Sequence, residues 1–175
     1  MTSELDHQAE RFAVWVREHS RAVRGYLFGM TRRADAADDL LQEVFRRAWQ
    51  ARASYRENGR PRAYLLKIAD RLVCDRSRKT RHEITFDDES WKKHEPQTSG
   101  DGPAQTVSQK EEAAQLERAM RRLSPAQRRV LLLRFYGQLS FAEIAAETGH
   151  PLGTVLSHCH RGLESLRALL TEEPT

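Results

Sequence analysis

Cysteine is scarce in this chain of 175 residues, which has only Cys74 and Cys159. The two lie far apart, each inside a helical pattern, so no disulfide framework is implied and a reducing compartment suits the protein. Long apolar runs are missing as well. No stretch approaches the roughly 18 consecutive apolar residues that a membrane span needs. The opening MTSELDHQAE is polar and acidic, unlike a signal peptide. These absences predict a cytoplasmic protein without membrane insertion. Strand candidates are also missing, since no apolar–polar alternation holds beyond about four residues. There is no phosphate-binding glycine loop, no paired-cysteine motif and no nucleophile–base pair arguable from spacing, so an enzyme has little support and no cofactor is implied.

Charge is plentiful but unevenly placed. The formal net charge is only +4. From Arg56 to Arg81 there are nine Lys/Arg against three Asp/Glu, and from Arg121 to Arg134 five Arg and no acid. Between them, from His82 to Glu112, eight acids face three bases. Two basic blocks around an acidic one suggest two surfaces for a polyanion, joined by a segment that does not bind it. Solvated helix faces are the plain alternative.

The periodic segments are helical. Phe12, Val16, His19 and Val23 share a face that Tyr26, Leu27 and Met30 extend. Between Asp35 and Gln50, Asp35 can cap a helix whose stripe is Ala37, Leu40, Leu41, Val44, Ala48 and Trp49. Asp38, Asp39, Gln42, Glu43, Arg46 and Arg47 are left outside. SYRENGR (Ser54–Arg60) reads as a loop turning at Asn58-Gly59. Pro61 can open the next helix, to about Lys79, with Leu65, Ile68, Leu72 and Val73 inward. From about His82 to Ser108 the periodicity dissolves into a polar, acidic linker, odd only in its apolar Ile84, Phe86 and Trp91. A second helical unit begins near Gln109, with Leu116, Met120 and Leu123 as a stripe. Ser124-Pro125-Ala126-Gln127 is a capped start for Val130, Leu131, Leu133 and Phe135, and Gly137 ends that helix.

LSFAEIAAETGHPLGTVLSHCHRGLESLRAL (Leu139–Leu169) has the form of a helix-turn-helix. Ser140 and Glu143 form a capping box, and Phe141, Ile144 and Ala145 make an apolar face. Thr148-Gly149-His150-Pro151 stops one helix and starts another. Spacing turns Val155, Cys159, Leu163, Leu166 and Leu170 inward. Thr154, Ser157, His158, His160 and Arg161 face out near the helix front, where such proteins place base contacts. His158-Cys159-His160 is no metal site, because consecutive helical residues point about 100° apart. Cys74, in a packed helix pattern, lacks the exposed setting of a redox sensor.

Taken in order, the segments resemble a bacterial sigma factor of the extracytoplasmic-function (ECF) group of the sigma-70 family, over nearly the whole chain. DAADDLLQEVFRRAW (Asp35–Trp49) resembles the family helix that docks on core RNA polymerase. SYRENGRPRAYLLKIADRLVCDRSRK (Ser54–Lys79) resembles the segment that recognises and melts the −10 element. LSPAQRRVLLLRFYGQLSFAEIAAETGHPLGTVLSHCHRGLESLR resembles the domain that binds the −35 element. The implied fold is all-α, with two small helical domains and a flexible acidic linker. The first domain spans 8–81 and the linker 82–108. The second, at 109–170, is a four-helix, winged-helix-like helix-turn-helix domain.

The resemblance implies core polymerase and promoter DNA as partners, and for many members a separate anti-sigma protein. Core docking would fall to Asp38, Asp39, Gln42 and Glu43, for which periodicity alone favours a solvated face. The −10 element would meet Tyr55, Arg56, Asn58, Arg60, Arg62, Lys67 and Arg71, with Arg76, Arg78, Lys79 and Arg81 adding charge. Cations bind phosphates, and an aromatic can hold an unstacked base; Tyr55 is equally readable as a packing aromatic at a helix end. Ser157, His160 and Arg161 would meet the −35 bases, with His158 also at the −35 DNA and Thr154 and Ser140 nearer phosphates. Arg134 is either a phosphate contact or a brace. Family members usually carry a basic residue at Leu156, arginine at His158, asparagine at Arg71 and tryptophan at Tyr64. The first two departures predict fewer phosphate contacts. A stand-alone helix-turn-helix regulator is the rival reading, which the polymerase-docking resemblance of the first half disfavours.

Overall fold

Three helices form the first unit: α1 (Thr2–Thr31), α2 (Ala34–Gln50) and α3 (Pro61–Glu83). The computed structural model describes residues 2–53, 55, 59–83 and 107–171, with the side chains of 2–7, 80–83 and 107–110 set aside. Most of the expected linker, including Ile84, Phe86 and Trp91, lies outside the described residues, as do Arg56 and Asn58. The chain divides into two compact units, Met1–Thr98 and Ser99–Thr175. No strand occurs among the described residues.

The helices of the first unit all pack on one another. Val23, Tyr26 and Leu27 of α1 meet Leu40, Val44 and Ala48 of α2 and Leu65, Leu66, Ala69 and Leu72 of α3 in a buried core. Each such leucine or valine contributes about 1.5–3 kcal/mol relative to exposure. The core also holds Asp70, which is fully buried and accepts a 2.5 Å hydrogen bond from the Tyr26 hydroxyl. That bond pins α3 to α1 at the centre of the bundle.

The expected Asp35 cap is a correction. The helix starts one residue earlier, at Ala34, with Arg33 as an N-cap whose side chain does not cap the helix. Asp35 therefore sits inside the first turn, where the helix dipole favours an anion. It pairs with Arg33 instead, and that hydrogen bond holds its carboxyl down to about 2.

The second unit holds α4 (Val107–Arg122), α5 (Pro125–Phe135), α6 (Phe141–Thr148) and α7 (Leu152–Thr171). α5 is its central element: Arg128, Val130, Leu131, Leu132 and Leu133 are all buried. A helix buried almost all round has no amphipathic stripe. Its start is the expected capping box, Gln127 N–H donating to Ser124 Oγ at 3.3 Å and Ser124 N–H to Gln127 Oε1 at 3.1 Å. α7 packs on α4, α5 and α6.

Four leucine-type expectations fail here. Leu116, Phe135, Leu163 and Leu170 are all exposed. Ala119 of α4 and Leu123, just after it, are buried instead. On α7 the seam runs through Val155, Cys159 and Gly162, with Leu166 and Leu169 half-buried. Gly162 displaces Leu163 because α5 comes very close: a Cβ there would stand 3.0 Å from Leu131 Cδ1 and 3.4 Å from Gln127 Cβ.

Candidate nucleic-acid interface

The front of α7 is set by the turn before it. Ser140 N–H donates to Glu143 Oε2 at 2.9 Å, and Glu143 N–H donates to Ser140 Oγ at 3.2 Å, closing the box that starts α6. Gly149 ends α6 in the left-handed region at φ 72°, donating its N–H to Ala145 O at 2.9 Å. Only glycine enters that region without a steric penalty. The Pro151 carbonyl then accepts from Thr154 N–H at 2.9 Å and Val155 N–H at 3.1 Å, which starts α7.

This turn presents the polar side chains together. Ser157, His160 and Arg161 are exposed, and Thr154 and His158 are half-buried on one flank. The His158 ring meets the His150 ring edge-on at 6.2 Å, and His160 Nδ1 lies 3.2 Å from Glu164 Oε2. Cys159 points into the core, where burial pushes its thiol up from the ordinary range. Among the described residues no group of three or more His, Cys, Asp or Glu could hold a metal ion.

Two other expected −35 residues have structural tasks. Ser140 Oγ also donates to Glu143 Oε2 at 2.8 Å, so a phosphate contact there would exchange that bond. Arg134 Nη1 donates to the Leu139 carbonyl at 3.0 Å, and its guanidinium lies 5.2 Å from the Phe141 ring centre. Arg134 thus braces α5 to the turn before α6. Ser140→Ala should cost the second unit about 1 kcal/mol, the usual value for losing such a cap. A fall in the urea midpoint by circular dichroism, with the slope unchanged, would show it; an unchanged midpoint would count against the cap.

In the first unit α3 carries the cations. Lys67, Arg71 and Arg78, four and seven residues apart, stack along one face of α3, and Arg60 stands just before it. Arg60, Arg71 and Arg78 are exposed and Lys67 half-buried, opposite the Leu65, Leu66, Ala69 and Leu72 core. Arg62 falls off this face and is half-buried; its charge helps lower the pKa of His19, although burial is the larger cause.

Tyr55 is packed. Its ring meets Trp15 edge-on at 4.8 Å and Tyr64 at 4.6 Å, and Trp15 continues through Phe12 to Phe45 and Trp49. Such aromatic pairs contribute roughly 0.5–1.5 kcal/mol beyond area burial. The packing-aromatic reading therefore holds in the free protein, with the ring half-exposed. Sequence reasoning missed Trp15, which joins the inter-helix aromatics and, three residues after Phe12, shares the face of the α1 stripe.

The acidic patch on α2 is split. Asp38 accepts from Arg24 Nε at 2.6 Å and Nη2 at 3.2 Å, tying α2 to α1. Glu43 accepts from Arg46 at 2.6 and 2.7 Å and from Arg47 at 2.7 Å, and these bonds hold its carboxyl at about 2. Asp39 and Gln42 remain exposed, one turn apart. Arg24 was not foreseeable, because a pair 14 residues apart on separate helices leaves no local signal.

Comparison with known proteins agrees in both units. Residues 15–83 match the family model for sigma-70 region 2, and residues 113–166 match that for sigma-70 region 4. The ECF RNA polymerase sigma factor RpoE of Cereibacter sphaeroides is 32% identical over 164 residues, 93% of this chain and 88% of that protein. The chain belongs to the ECF group of the sigma-70 family. The ECF sigma factor SigL of Mycobacterium tuberculosis is 31% identical over 89% of this chain and 86% of that protein. Among solved structures, the sigma factor RpoE in complex with the anti-sigma factor NepR from Bartonella quintana covers 94% of this chain and 99% of that one. At TM-score 0.72 and 23% identity it shows the shared fold. No helix among the described residues of this ECF factor is long and apolar enough to cross a membrane.

Proposed function

We propose that this ECF factor is a non-enzymatic, cytoplasmic promoter-specificity subunit of bacterial RNA polymerase. The observation that carries the reading is the order of two matched regions, region 2 at 15–83 and region 4 at 113–166, on two separate helical units. A stand-alone regulator has no use for the first.

Each unit has its own task in this reading. Roughly residues 8–81 bind core and open the −10 region, and roughly 109–170 bind the −35 duplex, with 82–108 between them. Asp39 and Gln42 are the docking contacts, while Asp38 and Glu43 shape the patch through their arginine partners. The cations Arg60, Arg62, Lys67 and Arg71 hold phosphates and make binding salt-dependent. Tyr55, together with Arg56 and Asn58 of its loop, receives an unstacked base, a step that costs a few kcal/mol. On α7, Arg161 is matched to a guanine edge, contributing roughly 1–3 kcal/mol of discrimination. Ser157, His158 and His160 accompany it at the bases, and Thr154 lies near phosphate. A separate anti-sigma protein is a further candidate partner, supported by the complex in which the similar Bartonella quintana factor was solved.

The test is transcription from fragmented genomic DNA by core polymerase, with and without this protein, mapping the transcript starts. The expected result is a set of new starts sharing −35 and −10 sequences. No new starts, together with duplex binding by the protein alone, would instead establish a stand-alone regulator. In the same system Asp39→Arg should weaken core binding by about tenfold, mostly through slower association that high salt masks, as for a rim charge. Unchanged association kinetics would remove Asp39 from the docking surface.

A further inference from the structure

We infer that Leu156 is a specificity residue of the −35 contact, reading one thymine through its 5-methyl group. The inference rests on α7 being the −35 helix. Leu156 is 44% exposed and Leu152, one turn before it, is 47% exposed. The unit's core makes no use of either, since the seam of α7 runs through Val155, Cys159 and Gly162. Leu156 stands beside Ser157 and one turn before His160, among the polar side chains that the Gly149 turn presents.

Chemistry restricts what such a leucine can contact. It cannot bond a phosphate, in contrast to the basic residue usual at this position. Over guanine, adenine or cytosine it would cover donors and acceptors and leave them unsatisfied. Thymine alone offers an apolar group in the major groove, its C5 methyl. Covering one methyl-sized group corresponds to about a fourfold change in affinity.

Leu163 and Leu170 are also exposed on α7. They stand roughly 10 and 21 Å further along the helix at 1.5 Å per residue. Leu156 shares its turn with the base-reading side chains, and those two do not. A protein partner covering the whole leucine stripe is the competing outcome.

The experiment uses holoenzyme assembled from core polymerase and the full chain. Duplex promoters randomised in the −35 region are selected, and each thymine of the enriched sequence is replaced singly by deoxyuridine, which lacks only the methyl. The wild-type holoenzyme should lose about fourfold in affinity at one position. Leu156→Ala should bind thymine and deoxyuridine equally there, and Leu156→Arg should do the same while steepening the salt dependence. A deoxyuridine penalty shared by wild type and Leu156→Ala, or no sensitive position, would overturn the inference. So would a Leu156→Ala variant that loses core-enzyme affinity without any change in thymine preference, which would mark a protein-docking stripe. If no −35 sequence is enriched at all, the promoter reading of α7 falls with it.

Discussion

Gly137→Ala is expected to destabilise the second unit by about 3 kcal/mol, the upper part of the range for forcing a methyl into a packed site. Gly137 is buried between α5 and α6. A Cβ there would stand 2.2 Å from Leu139 Cδ1 and 2.5 Å from the Leu133 carbonyl oxygen. The leucine end can rotate away, but the carbonyl belongs to the α5 backbone and cannot. Relief must come from opening the turn, which also holds the fully buried Leu139 and carries the Arg134 brace. Gly162 is the useful contrast, because its nearest contacts are side-chain atoms at 3.0 and 3.4 Å that can yield.

The tryptophans make this measurable in the full chain. Trp15 and Trp49 are packed in the first unit and Ser99–Thr175 has no tryptophan, so tryptophan fluorescence does not follow the second unit while circular dichroism follows both. Gly137→Ala should lower the second unit's contribution to the circular-dichroism transition and leave the fluorescence midpoint in place. It should also reduce −35-dependent transcription, because the turn positions α6, against which α7 packs. A circular-dichroism transition unchanged within about 0.5 kcal/mol, the ordinary scatter of surface substitutions, would show that the turn adapts freely.

What could be read from the sequence follows the range of the interaction. The helix starts at Ser124 and Ser140 and the stop at Gly149 depend on residues three or four apart, and each occurs where the local pattern places it. Interactions between helices did not announce themselves. Asp38 and Asp39 are adjacent acids, and nothing local says that Arg24 will take the first and leave the second exposed. α7 has more leucines than its seam can bury, so periodicity could not choose among them. The choice falls to Gly162, which has no hydrophobic signal and is buried because it lets α5 approach.

Counting charge overstates the basic surface of the second unit for a related reason. The acid-free run from Arg121 to Arg134 suggested a surface for a polyanion. Arg121 instead pairs with Glu117 at 2.5 Å, Arg134 braces a turn, and Arg128 is buried. An arginine count gives charge but not direction. The −35 reading therefore rests on the few polar residues at the front of α7, not on a broad basic face.

Arg128 carries the second large effect. Its Nε donates to the Met120 carbonyl at 3.0 Å, and its Nη2 to those of Leu123 at 2.9 Å and Arg121 at 3.4 Å. These carbonyls belong to the end of α4 and the residue after it, where a helix leaves acceptors without intrahelical partners and its dipole favours a cation. One buried guanidinium from α5 thus closes the end of α4 and fixes the joint between the helices. Arg128→Ala leaves buried carbonyls without their donor and a void, and should cost the second unit about 3 kcal/mol, the upper end for buried acceptors left unsatisfied. Arg128→Lys should recover only part, since an ammonium cannot reproduce the planar fork that reaches several carbonyls. Amide exchange in the last turn of α4 should speed up in both variants, while the tryptophan-detected transition stays in place. Lysine matching wild type would show that charge near the helix end is sufficient and the fork geometry is not required.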